Sequence, residues 1–412
     1  MSPTTLYAAR AAAIPHGGVA GVIMALTLAV GLGILATHPV IRAWERKLGL
    51  SLLAASGVPF LLLGGLFGAS GLGVLTEQVL HDLRPAFHLG LGWIGFVIGL
   101  RLDVRQLEKM PPTVSWVTAW HATVTALVTS AVCGATLWWL GAAPGDTMLR
   151  DVLVLAACAV TTSAVVVPNA RSFAPLFEGV SRLDSAAALV ALGAVSVVIR
   201  PDAAAVRWTL PPPAWALLLV GLGAVSGFLL WMALRQADDE NEAVAFLVGG
   251  VALAAGSAGY LALAGAVVAA LAGAMLANLP LPSHDRLLKG VEMVERPLLF
   301  VFLVLVGAAW KPWEGAGWVL AVAFFVSRVL GTSIAALLAS RKDMDLPGRR
   351  TLIRALLPQG STSVVIVAAA VGLYAGTEPI AAGWAVNAVL MGSVLTDLFC
   401  GVVLDTPAQG DT

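Results

Sequence analysis

Charge is what this sequence most lacks. Asp, Glu, Lys and Arg make up 12% of its 412 residues, about half the share in a soluble domain, so an ordinary water-facing surface is excluded. The 24 basic and 24 acidic residues cancel, and there is no basic tail or stripe to hold a nucleic acid. Cysteine is also scarce. Cys133, Cys158 and Cys400 lie inside apolar segments at no metal-ligand spacing, which reads as packing. No Walker or dinucleotide glycine motif is present, and the longest polar cytoplasmic run, Arg235 to Glu242, is short and acidic. That leaves no room for a nucleotide-binding or regulatory domain, so ATP-driven transport is unsupported and no cofactor is implied. Without a nucleophile–base constellation or a metal cluster, an enzyme is not expected.

What fills the chain is apolar: 59% hydrophobic residues and a mean hydropathy of +0.90. A membrane helix needs about 20 apolar residues. Such spans fall near 18–38, 50–68, 86–101, 113–140, 150–168, 175–199, 213–234, 243–258, 260–279, 296–310, 317–340, 352–373 and 380–404. The expectation is an all-α polytopic membrane protein with about 13 transmembrane helices. The first span follows Arg10 but has a poor cleavage site, so it is read as a retained helix. Of the 24 Lys and Arg, Arg182 and Arg328 fall within spans, six (Arg10, Arg84, Arg150, Arg200, Arg207, Lys311) fall on one side and 16 on the other. The positive-inside rule then puts the N-terminus outside and the C-terminus in the cytoplasm of a plasma (inner) membrane. Trp138, Trp139, Trp208, Trp215, Trp310, Trp313 and Trp318 cluster at the outer boundary of that layout, as an aromatic belt would.

Two patches of small hydroxyl residues interrupt the apolar background: Thr161-Thr162-Ser163, within Val160 to Pro168, and Ser361-Thr362-Ser363. In lipid, such residues pack helices closely, cap freed backbone groups or meet a ligand. The fifth span runs inward and the twelfth outward, so the pair suggests an inverted repeat. Transporters with inverted repeats carry broken helices in matching places, with the substrate site where those helices meet. Breakers stand at both patches, Pro168 after the first and Pro358-Gln359-Gly360 before the second. Pro211-Pro212-Pro213 supplies a stiff joint between the halves.

A charge at the bilayer centre costs at least about 2.5–3.5 kcal/mol on insertion scales, so each one needs a reason. Arg328 lies near the middle of the eleventh span and Asp184 in the sixth. An ion pair between them would relieve both costs, with Glu178 a second possible partner of Arg328. Asp397, in the last span, lines the same cavity or caps a packing contact. His121 reads first as a hydrogen-bonded core histidine and second as a proton-sensitive group. Arg101 and Asp103 read as boundary anchors, Glu292 and Glu295 as interfacial.

The residues resemble the monovalent cation/proton antiporter superfamily, closest to its Kef-type and bacterial Na+/H+ exchanger branch. The similarity is carried by Lys47 to Leu50, Gly64 to Gly73, Gly95 to Asp103, Gly265 to Ala277, Phe300 to Gly307, Arg328 to Gly331 and Leu357 to Gly360, all in family order. The resemblance implies scaffold or dimerisation helices in residues 1–110 and 241–315, a linker helix in 201–240, and a mobile core in 111–200 and 316–412 with two broken crossing helices. It also implies a homodimer and alternating access. The family carries Asn-Asp or Asp-Asp at its ion site and a basic partner in the eleventh helix, the position Arg328 matches. Here the acidic pair falls on Asp184-Ser185, a serine replacing the second carboxylate, and Arg101 stands where an acid is usual. The leading expectation is exchange of Na+ or K+ for protons. Asp184 and Ser185 would bind the ion or proton, Thr161, Thr162 and Ser363 would supply oxygens, and Arg328 would be the counter-charge. A same-fold carrier of an anion or small organic solute, and a transport-silent membrane subunit, remain as alternatives.

Overall fold

The computed structural model describes Thr27, Gly31 and residues 58–68, 71–142, 144–163, 172–201, 208–280, 284–310, 315–341, 346–374 and 379–404. Among them every regular element is a helix, apart from an isolated bridge between Gly68 and Leu75. The helices are α1 (Val58–Phe67), α2 (Glu77–Asp82), α3 (Arg84–Leu100), α4 (Val104–Leu107), α5 (Pro112–Trp139), α6 (Asp146–Val160), α7 (Ala174–Val198) and α8 (Pro212–Leu234). They continue as α9 (Glu240–Tyr260), α10 (Gly265–Asn278), α11 (His284–Ala308), α12 (Gly315–Ala339), α13 (Arg349–Leu356), α14 (Ser361–Tyr374) and α15 (Pro379–Leu404).

Helix starts follow local chemistry. α5 and α8 open on prolines, whose missing N–H falls where no intrahelical partner exists. Asp239 caps α9 by accepting from Glu242 N at 2.7 Å, while the Glu242 carboxylate accepts from Asp238 N at 2.8 Å. Among the described residues, five helices (α5, α7, α8, α9, α12) are long and apolar enough to cross a bilayer. Their outward side chains are large and apolar, Leu127, Val190 and Leu217 among them, as lipid-facing positions require.

Two differences from the expected spans matter. The twelfth span is two helices, α13 and α14, separated by Leu357 to Gly360, so the break predicted there is a true interruption. The tenth starts earlier than expected, at His284, and continues through Pro297. The first predicted span lies outside the described residues apart from Thr27 and Gly31.

Helices pack in two groups. α3 lies against α9, α10 and α11, with α8 on α9 and α10, and α1 on α11. α5 lies against α6, α7 and α12, with α15 on α12 and α14 on α6. α7 and α14 also touch the first group. At the α3–α10 contact the backbones themselves meet: a β-carbon on Gly99 would overlap the carbonyl of Ala270, and one on Gly273 the carbonyl of Phe96. In lipid, where helices gain nothing by hiding apolar surface from each other, such close approach supplies the attraction.

Candidate functional site

α6 and α14 are too short to cross alone. Their 15 and 14 residues extend about 22 and 21 Å, against a hydrocarbon core of about 30 Å. α6 stops at Val160, where Thr161 turns to an extended conformation. On the other side α13 stops before Pro358, which has no N–H to continue a helix. The end of α6 and the break between α13 and α14 meet. Ser163 N donates to Pro358 O at 2.9 Å, Gln359 Nε2 to Cys158 O at 3.4 Å, and Cys158 Sγ to Ser363 O at 3.5 Å.

Each interruption leaves helix-end carbonyls without intrahelical partners and with partial negative charge. Arg328, fully buried on α12, meets both ends at once. Its Nη2 donates to Thr161 O at 2.7 Å and to Leu357 O at 3.1 Å, its Nε to Leu357 O at 3.3 Å, and its Nη1 to Ala159 O. Pro358 O lies 3.5 Å from Nη2. One guanidinium, with five donors in a rigid fork, thereby joins the end of α6 to the end of α13.

The expected ion pair between Arg328 and Asp184 does not form. Asp184 is fully buried on α7, and its Oδ2 lies 3.0 Å from His121 Nδ1 and accepts from Thr162 Oγ1 at 3.0 Å. The physical reason is that the broken helices present more acceptor oxygens to the guanidinium than a single carboxylate could. Asp184 Oδ1 is buried with no hydrogen-bond partner, as is Oε1 of Gln359 in the second break.

Other predicted residues divide. Ser185 is buried beside Asp184 with its Oγ 3.5 Å from Thr362 Oγ1, so it links α7 to the start of α14. The hydroxyls of Thr161 and Ser363 turn back on the breaks, each donating at 2.8 Å, to Cys158 O and Gly360 O respectively. Thr162 alone of the three aims its hydroxyl at the acid, while its carbonyl accepts from Ser181 Oγ at 2.8 Å. Glu178 is exposed on α7, away from this cluster. Asp397 belongs to α15, but its side chain lies outside the described residues. Of the boundary residues, Arg101 bonds Glu295 at 2.9 Å, tying α3 to α11.

His121 matches its first reading, a hydrogen-bonded core histidine. It is fully buried on α5, with Nε2 3.5 Å from Thr332 Oγ1 on α12. A signal was available: Thr118, His121, Thr125 and Thr129 are spaced at helical intervals and form one buried polar stripe along α5. Gly331 lets α12 approach this stripe, since a β-carbon there would lie 2.9 Å from Thr125 Cα.

A helix end meeting a helix break beside a buried carboxylate is the kind of arrangement in which secondary transporters place their substrate site. Residues 46–409 match the family described as sodium/hydrogen exchanger, transmembrane, and the chain belongs to it. The protein is thus a multi-pass membrane protein of a cation/proton exchange family. Its fold is similar to that of the sodium proton antiporter MjNhaP1 from Methanocaldococcus jannaschii at pH 8, with a TM-score of 0.65 and 15% identity over 92% of this chain and 99% of that one. No curated protein matches the chain by sequence.

Proposed function

We propose that the protein exchanges a monovalent cation, Na+ or K+, for protons by alternating access, with Asp184 at the centre of the shared site. The supporting observation is the condition of Asp184: wholly buried, held through Oδ2, bare at Oδ1 and not paired with Arg328. Coupled exchange needs a site that accepts a proton or a dehydrated cation but never both. A carboxylate locked to a guanidinium would be a poor site for either. Because Arg328 is engaged by helix-end carbonyls, Asp184 keeps an oxygen for a hard cation, which takes oxygen ligands. Thr162 and Ser185 add hydroxyls, the breaks at Thr161 and Ser363 add backbone oxygens, and Arg328 acts as a fixed counter-charge.

In this reading the group containing α5 to α7 and α12 to α15 moves against the group containing α1, α3 and α9 to α11, which forms the face between two copies in a homodimer, with α8 as the linker helix. The N-terminus is outside the plasma membrane and the C-terminus in the cytoplasm, following the distribution of Lys and Arg.

Proteoliposomes with a preset pH gradient test the proposal. Na+, K+ or Li+ is added and the gradient followed, for the wild type and Asp184→Asn. Cation-dependent collapse that disappears in the variant is the expected result. Collapse that survives would move the site toward Glu178 or Asp397. A folded wild type with no cation response would sink the antiport reading and favour a solute carrier or a silent subunit.

A further inference from the structure

We propose that the start of α6 and the ends of α7 and α14 form a second site, which binds an oxyanion of the phosphate class between Arg150 and Arg200. A phospholipid headgroup and a free phosphate share that chemistry. The inference stands apart from the antiport reading and uses none of its residues.

Unmatched donors are the first support. Arg150, near the start of α6, is 3% exposed. Its Nε donates to Asp151 Oδ1 at 2.8 Å, but its Nη2 is buried without a hydrogen-bond partner. Arg200 follows α7. Its Nη2 donates at 3.0 Å to the carbonyl of Leu261, in the turn between α9 and α10, and its Nη1 is likewise buried and unpartnered. Tyr374, at the end of α14, brings the two arginines together. The Arg150 guanidinium carbon lies 4.8 Å from the centre of its ring, and its hydroxyl donates at 2.5 Å to the carbonyl of Ile199, the residue before Arg200. Both guanidinium charges act on that hydroxyl. A buried donor left without an acceptor costs its full desolvation, more so when it is charged. Two such donors beside one tyrosine fit a ligand that accepts from both.

Charge supports the same assignment. Asp151 offsets Arg150, and among the described residues no carboxylate lies within ion-pair distance of Arg200. Arg200 rests instead on the face of Trp215, its guanidinium carbon 3.4 Å from the ring centre. That contact steadies a cation without neutralising it. The cluster therefore keeps one net positive charge. Water could accept from the bare N–H groups but would leave the charge in place, whereas a singly charged anion answers both. Guanidinium forks match the separated oxygens of a phosphate better than the single centre of a halide. Depth in the membrane fits as well. Trp208, stacked on Trp215, and Tyr260, beside Leu261, are 56% and 65% exposed, and aromatic residues of this kind mark the headgroup level.

Delipidated full-length protein in neutral detergent tests this with three probes at constant ionic strength: inorganic phosphate, a short-chain phosphatidylglycerol, and a diacylglycerol, which has the chains without the phosphate. Arginine modification by phenylglyoxal is read residue by residue by mass spectrometry. At about ten times the half-saturating concentration of a bound probe, modification of Arg200 should slow about tenfold, while exposed Arg84 and Arg235 react as before. The melting temperature should rise by about 2 °C, and the rise should vanish in Arg200→Gln. Protection by phosphatidylglycerol alone identifies a lipid headgroup site; protection by inorganic phosphate, with or without the lipid, identifies a free-ion site. Protection by none of the probes overturns the proposal, as does equal protection by diacylglycerol or equal protection of Arg84 and Arg235. A melting shift that persists in Arg200→Gln also overturns it. Should that variant fail to fold, the modification pattern of the wild type decides.

Discussion

The contact between α3 and α10 and the crossing of α6 with the α13–α14 break both bring backbone against backbone, by opposite means. At the first, Gly95, Gly99 and Gly273 remove side chains so that helix surfaces touch carbonyl to α-carbon. At the second, the helices end inside the membrane, and polar groups on neighbouring helices meet what the ends expose. The glycine contact relies on shape and fails when volume is added. The crossing relies on satisfied polarity and fails when a partner is removed. Of the two, the second also holds a buried carboxylate oxygen without a hydrogen-bond partner, Asp184 Oδ1.

That contrast can be broken experimentally. The largest effect belongs to Gly99→Leu, whose side chain would drive into the Ala270 carbonyl. No monodisperse folded protein is expected by size-exclusion chromatography in detergent, and a normal elution profile would show that the helices do not pack so closely. Gly249→Ala, where a β-carbon meets nothing within 4 Å, should elute and melt as the wild type does.

Arg328→Met comes next. It leaves carbonyls of Ala159, Thr161 and Leu357 buried without their donor, and breaking a buried charged contact typically costs about 3–5 kcal/mol. Thermal unfolding should show a clear loss of stability, only partly recovered by Arg328→Lys, whose ammonium cannot span both helix ends. A variant as stable as the wild type would remove Arg328 from its capping role.

Asp184→Asn separates function from stability at the same crossing. The amide keeps the shape and can still hydrogen-bond His121 and Thr162, so the folded state should lose no more than about 1–2 kcal/mol while cation-driven proton flux disappears. Large unfolding would make Asp184 a structural residue. At the crossing, a smaller effect is expected from Tyr374→Phe. Its hydroxyl donates to Val195 O and Ile199 O at the end of α7, a loss of about 1 kcal/mol that should appear in melting and leave the pH profile of flux in place.

Much of this is legible in the amino-acid sequence. Asp184 and Arg328 stood out because a charge inside an apolar span demands a reason, and Thr162 because it belonged to a hydroxyl patch beside helix breakers. Their pairing was not legible. The acceptors that hold Arg328 are carbonyls of Ala159, Thr161 and Leu357, and every residue has a carbonyl, so no residue type marks the few that a helix end exposes. His121 was half-hidden for a related reason: a polar stripe of Thr118, His121, Thr125 and Thr129 can be seen, but not which helix it faces.

Membrane residence, helical structure and the break at Pro358 are readable from the chain alone, because hydropathy, span length and the placement of proline, glycine and hydroxyl residues are local properties that lipid enforces segment by segment. Tertiary structure alone decided that Arg328 joins two helix ends and that Asp184 meets His121. Those choices depend on distances between residues 63 and 169 positions apart in the chain, set only when the helices pack.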